Sequence, residues 1–157
     1  PEGGLFQLYR RARHVVGEAG RVWSFRDVCQ LKKGVYKGNL LRDLGDLMNA
    51  SQASCRDLYD CSCPELDELT TICRSAGAHG SRLTGAGWGG CTVSLVPSHA
   101  VTQFITTVKE KYYNKNWPGR WDAEGKAVKE GDVDLGDCVF ASEAGGGCGV
   151  LMSGGDF

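Results

Sequence analysis

The densest candidate for chemistry in this 157-residue chain is Gly85-Ala86-Gly87-Trp88-Gly89-Gly90. The run matches G-x-G-x-x-G, a spacing that serves dinucleotides when it closes a strand and opens a helix, so that pyrophosphate meets the helix N-terminus. Here Gly90 is followed by CTVSLV, a strand signal, and the next helical pattern begins only after Pro97. The dinucleotide reading fails on that order. A protein-kinase glycine loop does lie between strands, but it needs a strand lysine and the H-R-D and D-F-G elements, none of which occurs. A P-loop needs G-K-[ST] at its end, and no lysine follows Gly90 until Lys109. Four glycines in six residues lose more conformational entropy than a hairpin requires. Two readings stay open: a structural turn, or a ligand-facing loop that brings N–H groups to an anion.

The other candidates read more plainly. Cys61-Ser62-Cys63, flanked by Cys55 and Cys73, is the sharpest metal pattern, yet the chain has no C-x-x-C pair and no H-x(3–5)-H. The thiols are read as buried or bystander groups, and no metal is assigned. With 41% hydrophobic residues, the eight cysteines need not form a disulfide framework. Arg56, Asp57 and Asp60 read as a solvated helix end, and His79 as a turn residue. His14 lies among charges and His99 at a helix start, so no general base is assigned. Trp117 and Trp121 flank Pro118-Gly119 and read as loop packing.

A net charge of −1 with 24% charged residues offers no basic face for nucleic acid. No run of about 18 apolar residues occurs, and the first residues lack the apolar core of a signal peptide, so the expectation is a soluble, cytoplasmic protein without a membrane partner. The length suits one domain. The chain starts at Pro1 and is read as a piece of a longer polypeptide.

The elements that must position these residues follow from periodicity. Leu8, Ala12, Val15, Val16, Ala19, Val22 and Trp23 recur at a helical period from Leu5 to about Leu31, with Arg10, Arg11, Arg13 and Glu18 between them. After the break KKGVYKGN, a second helix built on Leu40, Leu41, Leu44, Leu47 and Met48 runs to Tyr59 and packs antiparallel to the first. A third helix starts either from a Ser62–Glu65 capping box or from Cys63 with Pro64 at the first position. It buries Leu66, Leu69, Ile72, Cys73 and Ala76 and ends at Gly77. SRLT and CTVSLV form strands around the glycine turn. A fourth helix, capped by Ser98, buries Val101, Phe104, Ile105, Val108 and Tyr112. Residues 114–136 read as a long loop, and DCVFAS and CGVLMS as a closing hairpin around Gly145-Gly146-Gly147. The fold class is α+β, with helices on a small antiparallel sheet. A helical pair spans residues 1–63, and an α-β-β-α-β-β unit with a ferredoxin-like portion spans residues 64–157.

GSRLTGAGWGGCTVSLVP, residues 80–97, resembles the third, C-terminal motif of the GHMP small-molecule kinases, and SQASCRDLYDCSCPELDEL, residues 51–69, resembles their galactokinase branch. Within that branch, the Trp88 loop and the Cys61 to Glu65 stretch are most similar to the N-acetylgalactosamine kinases. The resemblance covers about residues 5–113 and implies a ferredoxin-like GHMP kinase C-terminal domain. It implies transfer of the γ-phosphoryl group of ATP, with Mg2+, to the anomeric hydroxyl of galactose or N-acetylgalactosamine. It further implies that Thr84, Gly85, Ala86, Gly87, Trp88, Gly89 and Gly90 face the phosphates and sugar. The family's N-terminal signature, its P-x-x-x-G-L-S-S-S-A motif and its catalytic aspartate have no match in this sequence. The resemblance therefore implies a C-terminal portion that is inactive alone and works against its own N-terminal domain. A galactokinase-like sensor that binds sugar and nucleotide without phosphorylation is the alternative.

Overall fold

The computed structural model describes residues 6–30, 38–116 and 138–143. Helix α1 spans Leu8–Gln30 and α2 spans Leu40–Ser54. Asn39 caps α2 by accepting the Arg42 N–H at 3.1 Å, which satisfies one of the four donors a helix start leaves open. At its far end α2 widens into a π-helical turn, Cys55–Tyr59, that closes at Asp60 in the left-handed region with φ 64°. Pairings of Arg11 with Leu58, His14 with Ser54 and Glu18 with Ser51 run in opposite chain directions, so α1 and α2 are antiparallel.

Helix α3, Pro64–Ser75, takes the second of the two starts read from sequence: Cys63 is the cap residue and Pro64 opens the helix. The Ser62–Glu65 box does not form, because the Ser62 hydroxyl donates to Asp67 and accepts from Gln52. Gly77, at φ 108°, ends α3 with its N–H on the Arg74 carbonyl while the Ala78 N–H returns to Cys73. This pair of bonds closes orphan carbonyls and needs a residue without a Cβ penalty. Strands β1, Gly80–Thr84, and β2, Cys91–Leu95, then pair antiparallel, with Gly80 opposite Leu95 and Thr84 opposite Cys91.

A 3-10 turn at Ser98–Ala100 leads into α4, Val101–Val108, a π-helical turn at Lys109–Tyr113 and a last turn, α5, at Asn114–Asn116. Ser98 does not cap: it lies inside the 3-10 turn, and no side chain closes that start. The helical course enters the segment read as loop by three residues, 114–116. The rest of that segment, including Trp117 and Trp121, lies outside the described residues. Cys138–Glu143 forms no strand. It returns to the core, where Val139 packs on the α3–α4 cluster and Tyr113 donates to the Cys138 carbonyl at 3.4 Å. The Gly145 to Gly147 turn and the CGVLMS segment lie outside the described residues. The α+β arrangement holds, and among the described residues it is helix-rich with a two-stranded sheet. Among the described residues no helix is long and apolar enough to cross a membrane.

Two apolar clusters hold the layers. Leu69, Cys73, Phe104, Val108 and Tyr112 join α3 to the helix after it, while Cys55, Cys61, Leu66 and Leu83 join the α2 end, α3 and β1. A polar seam joins α2 to β1. Asn49 donates to the His79 carbonyl at 3.0 Å and accepts the Ser81 N–H at 3.1 Å, and Gln52 accepts the Leu83 N–H at 2.8 Å. These side chains complete the β1 edge that β2 does not reach. The helix can come that close because Gly45 lies against the backbone of His79 and Gly80; a Cβ on Gly45 would stand 2.4 Å from the His79 oxygen.

Helix α1 departs from its sequence pattern. The period predicts a buried stripe, yet no α1 residue is buried, and Leu8, Val15, Val16, Val22 and Trp23 face solvent. The inward side is the polar one: Arg11, His14, Glu18 and Arg21. Glu18 accepts from Ser51 at 2.5 Å, from Arg21 at 2.7 Å and from Arg82 at 3.2 Å. Burial alone raises the Glu18 pKa, but the Ser51 bond and the two arginines outweigh it, and the carboxyl sits below its usual range.

Two outcomes follow from these polar contacts. Gln52→Leu orphans the Leu83 N–H in a buried position and lowers stability by about 1–3 kcal/mol, read as a drop in urea midpoint at constant slope. Glu18→Gln lowers stability at neutral pH by on the order of 1 kcal/mol. A depressed folded-state pKa stabilises above the unfolded value, about 4.3, and that stability is lost as pH falls through the folded value. The gap between wild type and Glu18→Gln in urea midpoint therefore closes below about pH 4.

Candidate functional site

The β1–β2 connection carries the glycine run, and its backbone explains its composition. Gly85 has φ 83°, Gly87 87°, Trp88 56°, Gly89 142° and Gly90 84°, so all four glycines and one aromatic occupy the region closed to most side chains. The glycines do different jobs. A Cβ on Gly87 would stand 2.2 Å from the Cys61 carbonyl oxygen, whereas a Cβ on Gly85, Gly89 or Gly90 would meet nothing within 4 Å. Gly87 thus seats the loop, and the other three open to solvent.

The seat is the elbow at Asp60 and Cys61. The Trp88 N–H donates to the Cys61 carbonyl at 2.7 Å, and the Trp88 indole N–H donates to the Asp60 carbonyl at 3.0 Å. A left-handed aromatic is disfavoured by about 1–2 kcal/mol, and two hydrogen bonds offset this. The elbow is gripped from α1: Arg10 donates to the Asp57 carbonyl, Arg11 to the Leu58 carbonyl at 2.7 Å, and Arg11 lies 3.6 Å from the Asp60 carboxylate. Sequence reasoning leaves these residues out of the site. A left-handed Asp60 has no sequence signal beyond aspartate's tolerance of that conformation.

The structure brings Thr84, Gly85, Ala86, Gly87, Trp88, Gly89 and Gly90 together at one end of the sheet, with Thr84 exposed and Trp88 64% exposed. Among the described residues the N–H groups of Gly85, Ala86, Gly87, Gly89 and Gly90 have no protein acceptor. Successive backbone N–H groups in a turn are suited to anionic oxygen, and here the Trp88 N–H, bound to Cys61, separates two short sets of them. A divalent cation finds no ligand among such donors. Among the described residues no group of three or more His, Cys, Asp or Glu side chains could hold a metal.

Of the remaining candidates, Asp60 and Cys61 touch the loop through their carbonyls, from the seat beneath it. Cys55 and Cys61 are buried together; burial, then the neighbouring Cys61, pushes the Cys55 thiol up to about 11, so it stays neutral. Cys73 belongs to the α3–α4 cluster, where burial raises its pKa. Arg56 and Asp57 pair with each other at 2.7 Å on the surface. His14 bonds Ser54 at 2.9 Å and stacks on Tyr59, and His79 is held through its backbone by Leu95 and Asn49.

Comparison with known proteins gives the loop its context. Residues 31–114 match the family model described as GHMP kinases C terminal. A galactokinase of Dictyostelium discoideum is 47% identical over 122 residues, covering 70% of this chain and 24% of that protein. A galactokinase of Saccharomyces cerevisiae is 42% identical over 141 residues, covering 87% of this chain and 26% of that protein. The crystal structure of Lactococcus lactis galactokinase complexed with galactose superposes with a TM-score of 0.59 at 37% identity, over 72% of this chain and 27% of that one. The chain therefore spans about a quarter of the length of these relatives.

Gly85 and Gly87 share nearly the same φ, 83° and 87°, and differ only in what a side chain would meet. Gly85→Ala is expected to lower stability by about 1–2 kcal/mol through backbone strain alone. Gly87→Ala adds a backbone clash and is expected to be clearly worse, with loss of the Trp88 contact. Urea midpoints compare the two directly; equal effects would refute the separate roles.

Proposed function

The chain belongs to the GHMP kinase family, and from that premise we propose that it is the C-terminal part of a galactokinase-type enzyme. In this reading the whole enzyme moves the γ-phosphoryl group of ATP to the anomeric hydroxyl of galactose. The observation that carries the proposal is the set of N–H groups on the glycine-rich 85–90 loop, at Gly85, Ala86, Gly87, Gly89 and Gly90, that meet no acceptor among the described residues. Phosphoryl transfer depends on positioning and on neutralising charge over the phosphate oxygens. Fixed backbone donors supply that without reorganising, because Gly87 and Trp88 lock the loop onto the elbow before any ligand arrives. Thr84, at the end of β1, adds a hydroxyl donor at the loop's edge.

The groups that accept the sugar's proton are assigned to the part of the kinase outside this chain. The Mg2+ that accompanies ATP takes its protein ligands from there too. In this proposal the 157-residue chain alone is inactive, and its partners are ATP, the sugar and the N-terminal domain of the same enzyme, acting in the cytoplasm. Galactose is favoured over N-acetylgalactosamine because the matched relatives are galactokinases and one is described with galactose. The Trp88 loop and the Cys61 to Glu65 stretch are the features on which the N-acetylgalactosamine reading rests.

A chimera provides the test: this chain replaces the matched 122 residues of Dictyostelium galactokinase. The chimera is expected to phosphorylate galactose with ATP, and the isolated chain to turn over neither sugar. Turnover by the isolated chain contradicts the reading. Binding of ATP and sugar by the chimera without turnover points to the sensor alternative. Preference for N-acetylgalactosamine shifts the substrate while keeping the chemistry.

A further inference from the structure

Helix α1 is bound to the domain through its polar side and shows its apolar side to water. Leu8, Val15, Val16, Val22 and Trp23 are between 57% and 73% exposed. Exposed apolar patches of this kind mark surfaces that meet something else. The stripe is a ridge between two grooves. One, of about 750 Å³ between α1 and α2, is lined by Tyr9, Ala12, Ala50 and Ala53. The other, of about 560 Å³, is lined by Phe25 of α1, Leu47 of α2 and Val93 and Leu95 of β2.

We infer that this ridge and its grooves are the seam on which the nucleotide-binding part of the same kinase polypeptide packs. The inference rests on the reading of the chain as the C-terminal part of such a kinase. Three observations select that occupant. The matched C-terminal family model begins at residue 31, so α1 lies ahead of it, on the chain's route from the rest of the enzyme. The relatives are about four times as long as their match, so most of the enzyme must meet this domain somewhere. Finally, Arg10 and Arg11 of α1 hold the Asp57 and Leu58 carbonyls of the elbow on which Trp88 sits. A body seated on α1 therefore stands beside the phosphate-facing loop, and α1 ties the seam to the loop.

Site-resolved thiol labelling tests the seam. Ala19→Cys lies on the stripe and Ser24→Cys on the same helix off it, and both positions are exposed. A water-soluble maleimide, read by peptide mass spectrometry, is expected to label both at similar rates in the isolated chain. In the chimera with Dictyostelium galactokinase, labelling at Ala19→Cys is expected to slow about tenfold or more while Ser24→Cys is unchanged. Equal labelling at the two positions in an active chimera overturns the seam. Protection at Ala19→Cys in the isolated chain that grows with its concentration assigns the face to a second copy and also overturns it. Protection in a chimera that lacks sugar phosphorylation leaves the seam standing and defeats the functional reading instead.

Discussion

Among the described residues strand β1 has β2 along one edge, and along the other it meets side-chain amides of α2. The Ser81 and Leu83 N–H groups find the Asn49 and Gln52 oxygens, and Gln52, 2% exposed, spends its two N–H donors on Ser62 and Asp67. A buried strand edge left unmet would lose about 1–3 kcal/mol at each orphaned group. One amide thus fixes α2, the start of α3 and β1 to each other. The contact of Gly45 with His79 and Gly80 is the steric half of the same constraint, since a single methyl there would push the amides out of reach.

The glycine loop inherits its position from that frame. Its lower side rests on the Cys61 carbonyl, in a segment held between the α2 end and the Gln52-bonded Ser62. Two non-glycine residues, Asp60 and Trp88, take left-handed backbone, and Trp88 bonds both to Asp60 and to its neighbour Cys61. Strain at two sites is offset by a contact that either residue alone would lack. The other N–H groups of the loop then meet no acceptor among the described residues, which is the condition for using them on a ligand.

Helix α1 shows how a polar network can decide which way a helix faces. Its apolar period is regular, and burying that stripe on α2 would be the default expectation. Arg11, His14, Glu18 and Arg21 instead meet carbonyls, hydroxyls and Arg82 on the domain. The α2 end and the elbow present bare carbonyls at Asp57 and Leu58, which apolar side chains cannot satisfy and arginines can.

By itself the sequence determined the elements and their order through α4, because local period, Pro64, Gly77 and the strand-forming runs act over a few residues. It also determined that the 85–90 loop joins two strands, which removed the dinucleotide reading, and its resemblance to the GHMP kinases stands in the matched family model. Only the tertiary structure decided which side of α1 faces inward, since amphipathicity states that a face will be buried and not by what. It also decided that Cys63 and not Ser62 caps α3, because Ser62 is claimed by Gln52 and Asp67, partners 10 and 5 residues away. The division of labour among the glycines was likewise hidden: of four residues of one type, Gly87 alone has the carbonyl of residue 61 behind it.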